Sequence, residues 1–306
     1  MSGQRAVYTA LIGGHEKLWE QPVAEESSLP FICFTDDPEL RSSTWDVRVV
    51  EPLLELDPVR SARALKITGH PDLAAYDETL WIDARVQLSA DPAAILDEWL
   101  DGCDLAIPRH SFRADVVSEF ETVLLTGLDE SSRLYEQLTH YSTVAPELLE
   151  APAPWSGMVA RRHTPDVDRA MREWLLQVLR YSRRDQLSVT HALARAGVVA
   201  RRIEIDNKRS PVHEWPYGEG RSARKPMFRV SESLQPPVAR LGELQYELER
   251  LAAETVNAVE VRENRIAALE EEVSRLQKRV ERKDARLLAA RARVEKLRSQ
   301  LRESSD

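Results

Sequence analysis

Residues 182–188 read Ser-Arg-Arg-Asp-Gln-Leu-Ser, setting two guanidinium groups beside a carboxylate and a carboxamide. Arg183 and Arg184 can hold an anion or pair with a buried carboxylate. Asp185 can accept hydrogen bonds or support positive charge as it develops, while Gln186, being neutral, suits positioning better than proton removal. The plainer alternative is a solvated Arg-Arg turn with a capping Asp. A second cationic set, Arg60, Arg63 and Lys66, lies at helical spacing with Arg63 and Lys66 one turn apart. Its plainer alternative is a solvated helix face. Three carboxylates, Asp36, Asp37 and Asp83, each follow a short apolar run.

These groups need elements to position them. Val167, Met171, Trp174, Leu175, Val178 and Leu179 predict a helix over 166–181, and Leu187, His191, Leu193 and Ala194 predict another over 187–196 that stops at Gly197. The polar motif is then the joint between two helices, with Ser182 or Asp185 placed to cap the second, and a helix N-terminus favours an anion. Strands are predicted over 6–12, closed by Gly13-Gly14, over 29–35, over 45–50, over 79–82, over 104–108 and late in the domain over 198–205. A helix over 61–70 carries the second cationic set. Alternation of this kind gives an α/β domain, and ligands of open α/β sheets sit at the carboxyl ends of strands, where Asp36, Asp37 and Asp83 are placed.

With 306 residues and 42% apolar content the chain can bury a real core as one large domain or two. No run approaches the length of a membrane span, and Met1 to Arg5 lead into the first strand without a signal-peptide pattern, so a cytoplasmic location is expected. Two cysteines, Cys33 and Cys103, support neither a disulfide scaffold nor a cysteine-ligated zinc site. The formal charge is −9; residues 238–306 hold 15 Lys and Arg against 14 Asp and Glu, which leaves −10 on residues 1–237 and disfavours nucleic-acid binding there.

The sequence changes character near Pro236-Pro237, giving a globular domain over 1–235 and a tail over 236–306. In the tail, Leu241, Leu244, Leu248 and Leu251 follow heptad spacing, as do Ile266, Leu269, Val273, Leu276, Val280, Leu287, Val294, Leu297 and Leu301. A four-residue insertion between the two series is a stutter. β-branched residues at a with leucine at d favour a parallel two-stranded coiled coil, weakened by Lys283 at d, and the continuous rod would span roughly 90 Å. The expected partner is a second copy of this chain.

Val7-Tyr-Thr-Ala-Leu-Ile-Gly-Gly14, Phe31-Ile-Cys-Phe-Thr-Asp-Asp-Pro38, Arg60-Ser-Ala-Arg63 with Lys66, Trp81-Ile-Asp-Ala84 and Ser182 to Ser188 together resemble a glycosyltransferase-like family. That family includes plant mucilage-related and turgor-regulation proteins and many bacterial members, and the resemblance covers roughly residues 5–215. It implies a GT-A-like single domain with a mixed, mainly parallel central sheet, and its motif order is similar to the glycogenin and lipopolysaccharide galactosyltransferase group. By resemblance, Tyr8, Thr9, Ala10 and Asp36 or Asp37 would face the base and ribose of a nucleotide-diphosphate sugar. Arg60, Arg63 and Lys66 would face its phosphates and sugar, and Asp185 and Gln186 the reacting sugar. The resemblance also implies Mn²⁺ or Mg²⁺ on Asp83, with His213 as a late ligand and His163 competing for that role. Here the chain departs from the Asp-x-Asp pattern, because Asp83-Ala84-Arg85 offers one carboxylate and Arg85 cannot ligate a metal. His110 to Arg113 and Trp155 to Gly157 are placed to line the pocket.

The expected activity is metal-assisted transfer of a sugar from a nucleotide-diphosphate donor to a glycan or other hydroxyl acceptor, with retention implied by the Asp-Gln resemblance. Two alternatives stand: a noncatalytic scaffold whose degenerate transferase domain is presented by the coiled coil, supported by Arg85, and a hydrolase using the same carboxylates.

Overall fold

The run from Arg5 to Leu11 is apolar on both faces, and only a strand covered on both sides buries such a sequence. In the computed structural model, which describes residues 3–14, 16–215 and 237–303, with side chains of the last segment described over 248–294 and at 296, this run is β1 (Arg5–Leu11). It is joined by β2 (Phe31–Thr35), β3 (Asp46–Val49), β4 (Glu78–Ile82), β6 (Leu105–Pro108), β7 (Met158–Arg162) and β8 (Arg201–Ile203) in a sheet of order β3-β2-β1-β4-β7-β6-β8. A short pair, β5 (Gln87–Leu88) and β9 (His213–Glu214), stands apart. All neighbours in the large sheet run parallel except those of β7, which is antiparallel to both β4 and β6. The chain is therefore α/β with a mixed, mainly parallel central sheet, followed by a long C-terminal helix.

Side-chain alternation divides the core between the two faces of the sheet. Tyr8, Ile32, Phe34, Trp81 and Val159 pack beneath α1 (Pro58–Thr68), α5 (Pro165–Arg180) and α6 (Val189–Ala196). Val7, Cys33, Leu80, Ile82 and Ala160 pack against α2 (Pro92–Trp99) on the other. A third cluster joins α3 (Val116–Leu125) and α4 (Ser131–Val144) to Leu187. Periodicity did not address α2, α3 and α4; their starts are nonetheless chemically marked, since Asp91 accepts a hydrogen bond from Ala93 N and Asp115 forms a capping box with Ser118.

The helix expected over 61–70 begins three residues earlier, because Asp57 accepts from Arg60 N and Pro58 occupies the first turn. The helix expected over 187–196 begins at Val189, after a 3-10 turn over Asp185–Leu187. Neither Ser182 nor Asp185 caps it. Ser182 Oγ instead donates to Asp129, and the Asp185 carboxylate is consumed by Ser156, Arg63 and Lys66. The 3-10 turn is pinned from below by Trp174, fully buried on α5, whose indole N–H donates to the Asp185 carbonyl at 2.9 Å.

The chain divides into two compact units, Met1–Ser231 and Glu232–Asp306. The second holds α7 (Pro237–Glu303), in which Ile266, Leu269, Val273, Leu276, Val280, Leu287 and Val294 are 44% to 55% exposed in the single chain. Pro236 lies outside the described residues, and Leu241, Leu244, Leu297 and Leu301 outside the described side chains. No described helix is long and apolar enough to cross a membrane.

Trp174→Phe, which keeps most of the packing and removes the hydrogen bond, is expected to cost about 1 kcal/mol in urea unfolding. Trp174→Ala is expected to cost about 3–5 kcal/mol in the same measurement, since it also opens a cavity beneath the turn.

Candidate functional site

Strand order reverses between β1 and β4, and the carboxyl ends of two such neighbours leave a crevice. A cavity of about 170 Å³ lies there, lined by Ala10 to Ile12 at the carboxyl end of β1, by Asp83 to Arg85 after β4, by Arg63 and Lys66 of α1, by Trp155 and Ser156, and by Arg183 to Gln186. The antiparallel β7 matters to this arrangement, because it begins where β4 ends: Asp83 N donates to Gly157 O at 2.8 Å, which holds Ser156 beside Asp83. Gly157 has no room for a side chain, as a Cβ there would stand 2.3 Å from the Trp155 ring.

Lys66 is the centre of the site. Its ammonium, with the side chain 1% exposed, lies 2.7 Å from Asp185 Oδ2, 3.3 Å from Asp83 Oδ1 and 2.9 Å from Ser156 Oγ. Ser156 in turn donates to Asp185 Oδ2 at 2.8 Å, and Arg63 Nε stands 3.2 Å from Asp185 Oδ1. Burial alone would raise the Asp185 carboxyl, but Arg63, Lys66 and the hydrogen bonds from Lys66 and Ser156 outweigh it and hold the group well below the usual carboxylate range. Asp83 remains 31% exposed and also accepts from Trp81 Nε1 at 2.9 Å.

The arginines of the polar motif are held from behind. Arg183 Nε is 3.1 Å from buried Asp129, which also accepts from Ser182 Oγ and Arg183 N. Arg184 faces buried Glu119, to which Arg113 Nε approaches at 3.3 Å and Gln186 Nε2 at 3.5 Å. Burial raises the Glu119 carboxyl against the pull of Arg184 and Arg113, and burial with the same two arginines pushes His110 down to about 4, so its imidazole is neutral at neutral pH. Asp129 and Glu119 carried no sequence signal, because each stands more than fifty residues from its partner in the 182–188 motif and only the folded chain brings them together.

Other candidates are placed differently. Tyr8 and Thr9 are fully buried within the sheet; Tyr8 donates to Lys66 O at 2.7 Å and receives Arg161, so it supports the floor of the site instead of meeting a ligand. Ala10 does line the cavity. Asp36 accepts from Gly13 N and Asp37 from Glu39 N, and neither lines the cavity. Arg60 spends its guanidinium on Val178 O, Tyr181 O and Asp57, which ties α1 to the end of α5.

The residues present do not fit a resident divalent cation of the Asp-x-Asp type. Such an ion takes several oxygen ligands, yet Asp83 is engaged by Lys66 and Trp81, and the next acidic position is Arg85. His213 is buried, stacked on Trp155, with Nδ1 paired to Ser210 Oγ and Nε2 to Asn207 O. His163 pairs with Thr79 and lines a separate open depression beside α5. Among the described residues no group of three or more His, Cys, Asp or Glu side chains is placed to hold a metal.

The TOD1/MUCI70 glycosyltransferase-like domain matches residues 32–206 of the chain. A probable hexosyltransferase MUCI70 from Arabidopsis thaliana is 30% identical over 154 residues, 47% of this chain and 26% of that protein, so the match spans about a quarter of the relative's length. Core-mannan synthase A from Aspergillus fumigatus, solved in a Mn/GDP form, covers 74% of this chain and 79% of its own at 11% identity with a TM-score of 0.39, a likeness that transfers neither fold nor site.

Asp185→Asn is expected to destabilise the chain by about 3–5 kcal/mol at neutral pH, because it leaves Lys66 and Arg63 without their buried counter-charge. The wild-type contribution is present above the ordinary carboxylate pKa of about 4 and is lost as pH falls from there toward the depressed folded value. Urea midpoints measured from pH 7 downward should therefore converge for the two proteins in acid.

Proposed function

The chain belongs to the TOD1/MUCI70 glycosyltransferase-like family, and on that premise we propose that it transfers a sugar from a nucleoside-diphosphate donor to a glycan or other hydroxyl acceptor. The observation that carries this reading is the cavity at the β1/β4 reversal, where Arg63, Lys66, Arg85, Arg183 and Arg184 converge with Asp83, Asp185 and Gln186. A departing nucleoside diphosphate gains negative charge as the bond from the sugar's anomeric carbon to phosphate oxygen breaks and the acceptor oxygen bonds to that carbon, the acceptor's hydroxyl proton passing to the departing diphosphate oxygen. Preorganised cations meet that charge without reorganisation, which is where electrostatic stabilisation is most effective.

The roles follow from exposure. Asp185, 3% exposed, acts through the cations it fixes, whereas half-exposed Asp83 and the Gln186 amide present polar atoms to a sugar. The open depression lined by His110 and Arg113 adjoins Arg184 through Glu119, and in this reading it receives the acceptor. Retention of configuration is the stereochemical outcome the Asp-Gln motif suggests. The divalent cation that the family resemblance implies is left out of this reading, since the donor set does not fit one.

In the tail, the half-exposed heptad stripe of α7 supports a parallel two-stranded coiled coil that pairs two copies of the chain. The domain boundary is taken near Pro236, and the catalytic unit is assigned to the cytoplasm.

Calorimetric titration of the full chain with UDP- and GDP-sugars is expected to give saturable binding to at least one donor, weakened about tenfold or more by Arg63→Ala, on the scale of a lost charge-assisted contact. Absence of heat with every common nucleotide sugar, together with absence of donor hydrolysis, would sink the transferase reading. Sedimentation equilibrium is expected to show a dimer at micromolar concentration and a monomer for the Leu269→Glu, Leu276→Glu double variant, with donor binding unchanged.

A further inference from the structure

We propose that the cation of this site is built into the chain: the Lys66 ammonium occupies the position between Asp83 and Asp185 that a divalent metal would otherwise take, and nucleoside-diphosphate binding requires no metal. This rests on the transferase reading above and concerns how that site neutralises its ligand. An ammonium has three donors, and Lys66 has three oxygen acceptors within reach, Asp185 Oδ2 at 2.7 Å, Ser156 Oγ at 2.9 Å and Asp83 Oδ1 at 3.3 Å. A divalent ion at the same carboxylates would have to displace a buried charge that is already paired, and it would meet Arg63 on the far oxygen of Asp185.

Two further features agree. Lys66 is locked from outside the site, because its own carbonyl accepts from Tyr8 and from Arg161, so the ammonium is held at a fixed height above the sheet. The cavity wall is also rich in cations: its lining counts five Lys and Arg, namely Arg63, Lys66, Arg85, Arg183 and Arg184, against the three carboxylates of Glu16, Asp83 and Asp185. Asp129 and Glu119 balance Arg183 and Arg184 from behind, so what the cavity offers a diphosphate is guanidinium donors at fixed positions, and a guanidinium binds phosphate oxygens in pairs where a metal would bridge them.

UDP and GDP titrated into the full chain by calorimetry, once in EDTA and once with excess Mn²⁺, distinguish a built-in cation from a bound metal. The expected result is the same affinity in both, within about twofold. Lys66→Ala leaves Asp83 and Asp185 as an unbridged pair of carboxylates, and its nucleotide binding is expected to fall about tenfold or more in EDTA and to be restored by Mn²⁺. Binding by the wild-type chain only when Mn²⁺ is present would overturn the built-in cation and leave the donor reading standing. Binding of neither nucleotide under either condition would overturn both. Should Lys66→Ala lose its native circular dichroism, Arg184→Met, which leaves Lys66 with Asp83, Asp185 and Ser156, is expected to weaken binding about tenfold in EDTA without rescue by Mn²⁺, and an unchanged affinity for that variant would count against the cationic cradle.

Discussion

A buried ammonium is among the most expensive groups a protein can hold, and Lys66 is held because Asp83, Asp185 and Ser156 surround it. The local architecture follows from meeting that requirement. β4 delivers Asp83, the antiparallel start of β7 delivers Ser156, and the turn before α6 delivers Asp185, three segments far apart in sequence that must converge on one nitrogen. Arg161, buried beneath α1, bonds to the carbonyls of Lys66 and Ile67 and to Tyr8, and so fixes the backbone that carries the ammonium. Displacing Asp185 would strip both Lys66 and Arg63 of their closest counter-charge beside a wall that includes the rings of Trp81 and Trp155.

Behind this cluster stands a second layer of carboxylates. Asp129 receives the Arg183 guanidinium, the Ser182 hydroxyl and the Arg183 main-chain N–H, and Glu119 lies against Arg113, Arg184 and Gln186. Both are buried, so both help hold the motif in one conformation instead of leaving long arginine side chains to sample many. A preorganised arrangement loses less entropy when an anion arrives, which is how side chains that touch no ligand can strengthen its binding.

Much of the frame was legible in the residues. Apolar runs marked the strands to within a few positions, and the spacing around Met171, Trp174 and Val178 marked α5, because strand and helix periodicity are local properties of the chain. The Arg63 and Lys66 pair, Asp83 and Asp185 were each recognisable as polar groups in unusual places, and all four line the cavity. Arg60, one turn earlier on the same helix, was indistinguishable from them by type or spacing, yet it faces the carbonyls of Val178 and Tyr181. Tyr8 and Thr9 lie next to cavity-lining Ala10 and are nonetheless sealed inside the sheet, since covering helices on both faces enclose alternate residues equally. Ser182 and Asp185 had the right chemistry to cap a helix, but stronger partners elsewhere claimed their oxygens.

The sequence by itself determined the α/β frame, the heptad pattern of the tail, the family, and the absence of a second acid after Asp83 in favour of Arg85. Those are properties of composition and spacing along the chain. Only the tertiary structure decided that Asp185 serves Lys66 and Arg63 before it can serve any ligand, that Asp129 and Glu119 stand behind the arginines, and that both His213 nitrogens are spent on Ser210 and Asn207. The reason is physical: a polar group's role depends on which partners reach it and how much water remains. Both are fixed by contacts between residues that the linear order keeps apart.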